Sequence, residues 1–268
     1  VQFAYINGVT LHYQLISAPA GKPVLVFANS LGTDFRIWRD VIIRLVGEFA
    51  IFTYDMRGHG LSDTGSTPYT IDDHVGDLAG LLDYLSVKDA VICGLSVGGL
   101  VAQGLYATRP ELVQALILCD TAHKIGTPEF WNTRIDAVNG SGIASIADSI
   151  LQRWFTPAFH NERASDLAGY RNMVVRQPVS GYSGTCAALR DADFTEAAKR
   201  IAVPAICIVG DQDGSTPPDL VLELAKLIPR ARYEVIKDAG HIPCVEQPEM
   251  LVAVMRAFID EFKLGGKS

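Results

Sequence analysis

The 268-residue chain predicts an α/β fold: a mostly parallel, twisted sheet flanked by helices, with an inserted helical cap. Three observations lead there. Short, continuously apolar runs recur along the chain, as expected of strands buried on both faces of a parallel sheet. Stretches with helical spacing and short loops lie between them, the order that gives right-handed strand–helix–strand crossovers. From about residue 123 to 189 the strand-like runs stop, and afterwards they resume.

The elements follow in order. Residues 3–16 (FAYINGVTLHYQLI) alternate apolar and polar around Asn7-Gly8, the signature of a hairpin with a tight turn. Residues 24–28 (VLVFA) read as a buried strand, 35–47 as a helix and 50–55 (AIFTYD) as the next strand. Helical spacing returns over 71–85, with Thr70 as the N-cap and Asp72 and Asp73 in the first turn, where the helix dipole favours acids. A strand at 90–93 meets a glycine cluster and a helix over 97–108 that stops before Pro110; 115–119 is again a strand. Residues 123–189 are helical, aromatic and arginine-rich, broken at Pro128, Pro157 and Pro178. The core pattern then resumes with strands at 205–209 and 231–236 and helices at 219–227 and 249–262. The expected division is a core of 1–122 with 190–268, and a helical cap of 123–189.

Composition narrows the function classes. Hydrophobic residues make up 49% of the chain, enough for a sizeable core at this length. The formal net charge is −7, and without a run of Lys and Arg neither nucleic acid nor an anionic membrane is an expected partner. The N-terminal stretch alternates and does not read as a signal peptide, and no segment approaches membrane-spanning length. The five cysteines, Cys93, Cys119, Cys186, Cys207 and Cys244, show no metal-ligand spacing. Cys93, Cys119 and Cys207 fall in apolar strand-like runs and read as small buried hydrophobes, and a reducing cytoplasm is the expected compartment. Oligomeric state is left open, a homo-oligomer included.

The chemistry centres on Gly94-Leu95-Ser96-Val97-Gly98, a G-x-S-x-G pattern. The pattern alone is modest evidence, but a strand precedes it and a helix follows directly. In such an elbow the serine is strained and projects its Oγ above the sheet edge, while the flanking glycines let strand and helix pass closely. The competing reading is a glycine turn with a capping serine. A serine hydroxyl needs a base. Of the six histidines, His241 lies in a loop after the last strand, at the carboxyl edge where open α/β sheets bind ligands. His123 is retained as a pocket residue; His12, His59, His74 and His160 read as structural. The base needs an orienting carboxylate. Asp211 and Asp213 both follow the 205–209 strand; Thr216-Pro217 with Asp219 reads as a helix start, which leaves Asp213 free to face the histidine. Asp120 is a minor alternative. Ser96, Asp213 and His241 then stand in the order nucleophile, acid, base, which is the order of the α/β-hydrolases. Two backbone amides are expected to hold an oxyanion: Val97 at the helix N-terminus and Leu31 in the loop NSLGTD, with the Ser30 hydroxyl as an addition.

The motifs NSLGTD, YDMRGHGLSD, CGLSVGG, GDQDGSTPP and AGHIPCVEQP, in this order, resemble the α/β-hydrolase superfamily. With NSLGTDFRIW, LCDTAHKIGTPEFW, RWFTPAF and GYSGTCAALRDADF, most of the chain, insertion included, resembles the 3-oxoadipate enol-lactonases. Asn29-Ser30 stands where many hydrolases carry His-Gly, a departure that the enol-lactonases share. The resemblance implies opening of the enol-lactone of 3-oxoadipate in aromatic-acid breakdown, by the triad Ser96, Asp213 and His241 and with no metal or organic cofactor.

Such a lactone is a small anion, so a cation should lie over the nucleophile. Trp131 and Arg134 are three apart on an expected helix and share a face; Arg153-Trp154 is a second aromatic–cation pair, and Lys124 lies near the start of the insertion. The bland alternative is that Trp131 and Trp154 pack cap on core and that the cations are solvated, the favoured reading for Lys124. Rival functions are a carbon–carbon bond hydrolase or general carboxylesterase on the same frame, or a ligand receptor with slow or absent turnover.

Overall fold

The computed structural model describes residues 2–18 and 21–265. Strands β1 (Gln2–Ile6) and β2 (Val9–Ile16) form the expected hairpin, with Asn7 and Gly8 both at positive φ (48° and 81°). Both central residues of a type I′ turn need that conformation. β3 (Val24–Ala28) leads through a 3₁₀ turn (Phe35–Trp38) into α1 (Arg39–Leu45). The single helix expected over 35–47 is therefore two pieces, because Asp34 accepts from the Arg36 amide and winds the first turn tightly. β4 (Ala50–Tyr54) and α2 (Ile71–Tyr84) follow, the latter with a full capping box between Thr70 and Asp73.

β5 (Ala90–Leu95), α3 (Val97–Thr108) and β6 (Val113–Cys119) come next. Five helices then run before another strand: α4 (Pro128–Ser141), α5 (Ala147–Trp154), α6 (Pro157–Glu162), α7 (Ala164–Val175) and α8 (Val179–Asp191). Pro128, Pro157 and Pro178 stand at the starts of α4, α6 and α8, where a missing N–H costs nothing. A short α9 (Thr195–Ala198) precedes β7 (Ala205–Gly210), α10 (Pro218–Leu227), β8 (Arg232–Ile236), α11 (Pro243–Glu246) and α12 (Pro248–Glu261).

The sheet order is β1-β2-β4-β3-β5-β6-β7-β8. β1–β2 and β2–β4 pair antiparallel, and every later pair is parallel. Central β5 and β7 are buried at every residue, whereas edge β8 is half polar (RYEVI). Because the parallel strands run one way, the loops after β3, β5, β6, β7 and β8 share one rim, with the helices α4–α8 as their neighbours. Among the described residues no helix is long and apolar enough to cross a membrane. All five cysteines are free and buried.

Candidate active site

Ser96 is the single residue between β5 and α3, and its φ of 57° and ψ of −118° lie in the left-handed region. Neighbouring strands hold it there. Its N–H donates to Cys119 O (3.0 Å), and its carbonyl accepts from Gly99 N–H (2.9 Å) and the Thr121 hydroxyl (2.6 Å). The side chain makes no capping bond, so the reading of a mere helix-capping serine does not fit. The flanking glycines are steric necessities. A Cβ on Gly94 would stand 2.3 Å from Gly98 O, and one on Gly98 would stand 2.3 Å from Ala28 O.

His241 lies in the loop after β8, its N–H donating to Trp154 O (2.8 Å). Nδ1 is 2.8 Å from Asp213 Oδ2. Asp213 sits after β7; its Oδ1 accepts from the Ser215 and Thr216 amides (2.7 and 3.1 Å), and its Oδ2 also accepts from the Thr216 hydroxyl (2.7 Å). The Thr216 proton is thereby committed, so the proton between Nδ1 and Asp213 belongs to the imidazole and Nε2 is left as an acceptor. One expectation is corrected here: Thr216 does not cap α10. The N-cap is Pro217, without a side-chain cap bond, and Thr216 faces the carboxylate. Asp211 accepts from the Ala239 amide instead (3.3 Å). Asp120 is fully buried nearby, with Oδ1 accepting from Gly210 N–H (2.9 Å).

Ser96 and His241 line one cavity of about 180 Å³, together with Ser30, Leu31, Trp131, Arg134 and Trp154. Val97 contributes no side chain to that wall; its amide is at the first position of α3. Neither the Val97 nor the Leu31 amide has a protein acceptor among the described residues. The amide after Leu31, on Gly32, donates to His59 Nε2 (3.0 Å), and His59 Nδ1 is 3.2 Å from Arg57 O. Burial pulls the His59 pKa down to about 4, so the ring is neutral at ordinary pH and keeps the acceptor that holds this loop.

Both tryptophans are buried and also line the cavity, so packing and lining are not exclusive. Trp131 is fixed by Nε1–H donating to Ile125 O (2.6 Å). Arg134 stacks over Trp131 (5.3 Å) and Phe130 (4.8 Å), and Arg153 also lies over Phe130 (5.4 Å). His123 and Lys124 are absent from the cavity wall. The His123 carbonyl accepts from the Phe194 amide, and Lys124 pairs with Asp193 on the surface (3.3 Å). His12 pairs with Asp55, His74 meets Thr185 and His160 meets Leu151 O.

Sequence reasoning missed Phe130 and Tyr182. Phe130 had a signal, being four residues before Arg134 on the same expected helix. Tyr182, buried on the cavity wall beside Arg134, had none that separated it from ordinary core. Asp120, Asp213 and His241 bring oxygen or nitrogen atoms within 4.8 Å of one another, but Asp213 and His241 commit those atoms to each other.

A family model described as "alpha/beta hydrolase fold" matches residues 23–248. The chain is 35% identical over 254 residues to 3-oxoadipate enol-lactonase 2 of Acinetobacter baylyi, covering 95% of this chain and 94% of that one. Among solved structures it is similar to the enol-lactonase from Burkholderia xenovorans (TM-score 0.93, 36% identity, 97% and 100% of the two chains). It is also similar to a thermophilic esterase from Thermogutta terrifontis (TM-score 0.90, 27% identity, 97% and 99% covered).

Proposed function

The chain belongs to the α/β-hydrolase fold family, and from that premise we propose that it is a cofactor-independent serine hydrolase that opens 3-oxoadipate enol-lactone to 3-oxoadipate. One observation carries the reading: left-handed Ser96 and Asp213-bound His241 line the same cavity as Arg134 and Arg153, and neither arginine has a carboxylate partner among the described residues. A nucleophile, a base and unpaired cations suit an acyl substrate that carries its own carboxylate. The identity to enol-lactonases supports the lactone class.

The proposed chemistry uses the same groups in both half-reactions. Ser96 Oγ attacks the lactone carbonyl while His241 Nε2 takes its proton. Asp213 holds Nδ1–H, fixing the tautomer and stabilising the imidazolium. The Leu31 and Val97 amides receive the carbonyl oxygen as it becomes an oxyanion. Collapse breaks the ring C–O bond and expels the enol oxygen, a good leaving group because its charge delocalises; the departing enolate takes the proton back from His241 as it ketonises, leaving the imidazole neutral. Neutral His241 then takes a proton from water, which attacks the acyl-enzyme; collapse of the second tetrahedral intermediate breaks the acyl–Oγ bond, and His241 returns that proton to Ser96 Oγ. The carboxylate of the substrate lies against Arg134, with Ser30, Trp131 and Trp154 shaping the cavity around the ring.

The test follows loss of the enol-lactone absorbance. Ser96→Ala should cost about a thousandfold or more in kcat/KM; substantial turnover by that variant would end the proposal. A meta-cleavage product and a nitrophenyl ester assayed in parallel separate carbon–carbon hydrolase and general carboxylesterase activity from lactonase activity.

A further inference from the structure

Asp120 is the first residue after β6, at φ 46°. It stands at a junction of strand ends. The preceding residue, Cys119, accepts the Ser96 N–H; the Asp120 N–H donates to Ile208 O in β7 (2.8 Å); and its Oδ1 accepts from Gly210 N–H at the end of β7. Oδ2 is buried and accepts no hydrogen bond, and the Asp120 and Asp213 carboxyl groups lie within hydrogen-bonding reach of each other. A carboxylate oxygen of Asp120, one of Asp213 and a ring nitrogen of His241 all lie within 4.8 Å of one another.

Two adjacent buried carboxyl groups cannot both ionise without a large cost, and the donors decide between them. Asp213 receives the Ser215 and Thr216 amides, the Thr216 hydroxyl and His241 Nδ1–H. Asp120 receives one amide. The negative charge therefore belongs on Asp213. We propose that Asp120 is a positioning residue for the triad, a carboxylic acid that keeps its proton at working pH and donates it from Oδ2 to the Asp213 carboxylate. Burial, then the Asp213 charge, push the Asp120 carboxyl well above the usual carboxylate range. The titratable groups facing it are Asp213, His241, Cys119 and Cys244; a hydrogen bond with Cys93 and then burial push the Cys119 thiol up, and burial pushes up that of Cys244, so neither competes as an anion.

This inference rests on the roles proposed for Asp213 and His241, and its test is readable apart from them. The first measurement is the infrared difference between wild type and Asp120→Asn, both with ¹³C-labelled aspartate, at neutral pH. A protonated-carboxyl C=O band present only in wild type is expected; its absence overturns the proposal, and the band needs no turnover. The second is the pH profile of kcat/KM. Asp120→Asn keeps an acceptor for Gly210 and a donor for Asp213, so it should stay within about threefold of wild type with an unmoved acid limb. Were Asp120 ionised, removing its charge would disfavour the imidazolium and move that limb about one unit or more to lower pH. Asp120→Ala leaves Asp213 without this donor and more basic, so the limb should rise by about one unit as kcat falls. The Asn variant and the band carry the test even where the Ala variant does not fold.

Discussion

The Arg134 guanidinium lies over the Phe130 and Trp131 rings, so its place is restricted before any substrate arrives. A weakly hydrated guanidinium that rests on aromatic rings while offering a fork of N–H donors is something lysine cannot reproduce. A guanidinium on a carboxylate contributes a charge-assisted bond of about 1.5–3 kcal/mol, so Arg134→Ala should raise KM for the enol-lactone roughly ten- to hundredfold with a smaller change in kcat. Arg134→Lys should recover little of this. A neutral nitrophenyl ester, which has no carboxylate to grip, serves as the control and should keep its kcat/KM. Unchanged KM for the lactone in Arg134→Ala would remove this residue from the binding site. Arg153 is the alternative cation on the same wall, and its loss would then be the informative substitution.

At the scale of elements, the end of α5 ties together the loops that carry acid and base. Arg153 O accepts the Gly214 N–H and Trp154 O accepts the His241 N–H. Glu246, in α11, accepts from the Thr156 amide (3.0 Å), the Thr156 hydroxyl (2.8 Å) and the Gly240 amide (2.7 Å). Burial raises the pKa of its carboxyl, and the bonds from Thr156 and Gly240 oppose that shift. Glu246→Ala orphans three donors, each worth about 1–3 kcal/mol where it stays buried. Tm should fall, and kcat should fall with KM less affected, because the base loop loosens while the cavity wall remains; a variant with wild-type kcat would show that His241 does not depend on this brace. These ties were invisible in the sequence because all but the Thr156 hydroxyl use main-chain groups, and they join residues mostly far apart along the chain. What was legible was whatever local pattern enforces. The continuous apolar runs gave the strands, and the glycines at 94 and 98 gave the elbow, since a Cβ there has no room. The Asp213 loop was half legible: Thr216-Pro217 looked like a cap and first turn, but the Thr216 hydroxyl satisfies the buried Asp213 carboxylate instead. Tyr182 was missed because a buried aromatic looks the same in sequence whether it faces a cavity or a core, whereas Phe130, more exposed, was legible only through its spacing to Arg134.

For the molecule as a whole, acid should act through histidines held neutral in the interior. Burial pulls the His59 pKa down to about 4 and that of His74 to about 3, from a usual 6.5. Below the usual value the unfolded chain binds protons that the folded chain refuses, so stability falls as pH falls, by about 1.4 kcal/mol per pH unit for each such group. The effect of each fades only near its folded pKa. Asp120 acts in the opposite sense: it keeps a proton when folded and loses it when unfolded, so acidification favours the fold through that group until the unfolded carboxyl also protonates. The sum depends on every buried acid, among them Asp55 and Asp77, which burial also raises. A difference between two proteins isolates one histidine. His74 has Nε2 3.3 Å from the Thr185 hydroxyl, which itself donates to Gly181 O, and its Nδ1 has no partner. A neutral ring with its proton on Nε2 fits those bonds, and protonating Nδ1 would bury an unpaired charge. His74→Gln can still donate to Thr185 and cannot take up that proton. Urea unfolding of both proteins from neutral pH down to about pH 4.5 should find the variant the less stable at the top, by about 1 kcal/mol from imperfect packing. The gap should close and then reverse as wild type alone loses about 1.4 kcal/mol per unit below pH 6.5. A gap that does not change with pH would mean that His74 is protonated in the native protein or remote from the unfolding equilibrium, and the buried neutral ring would have to be abandoned.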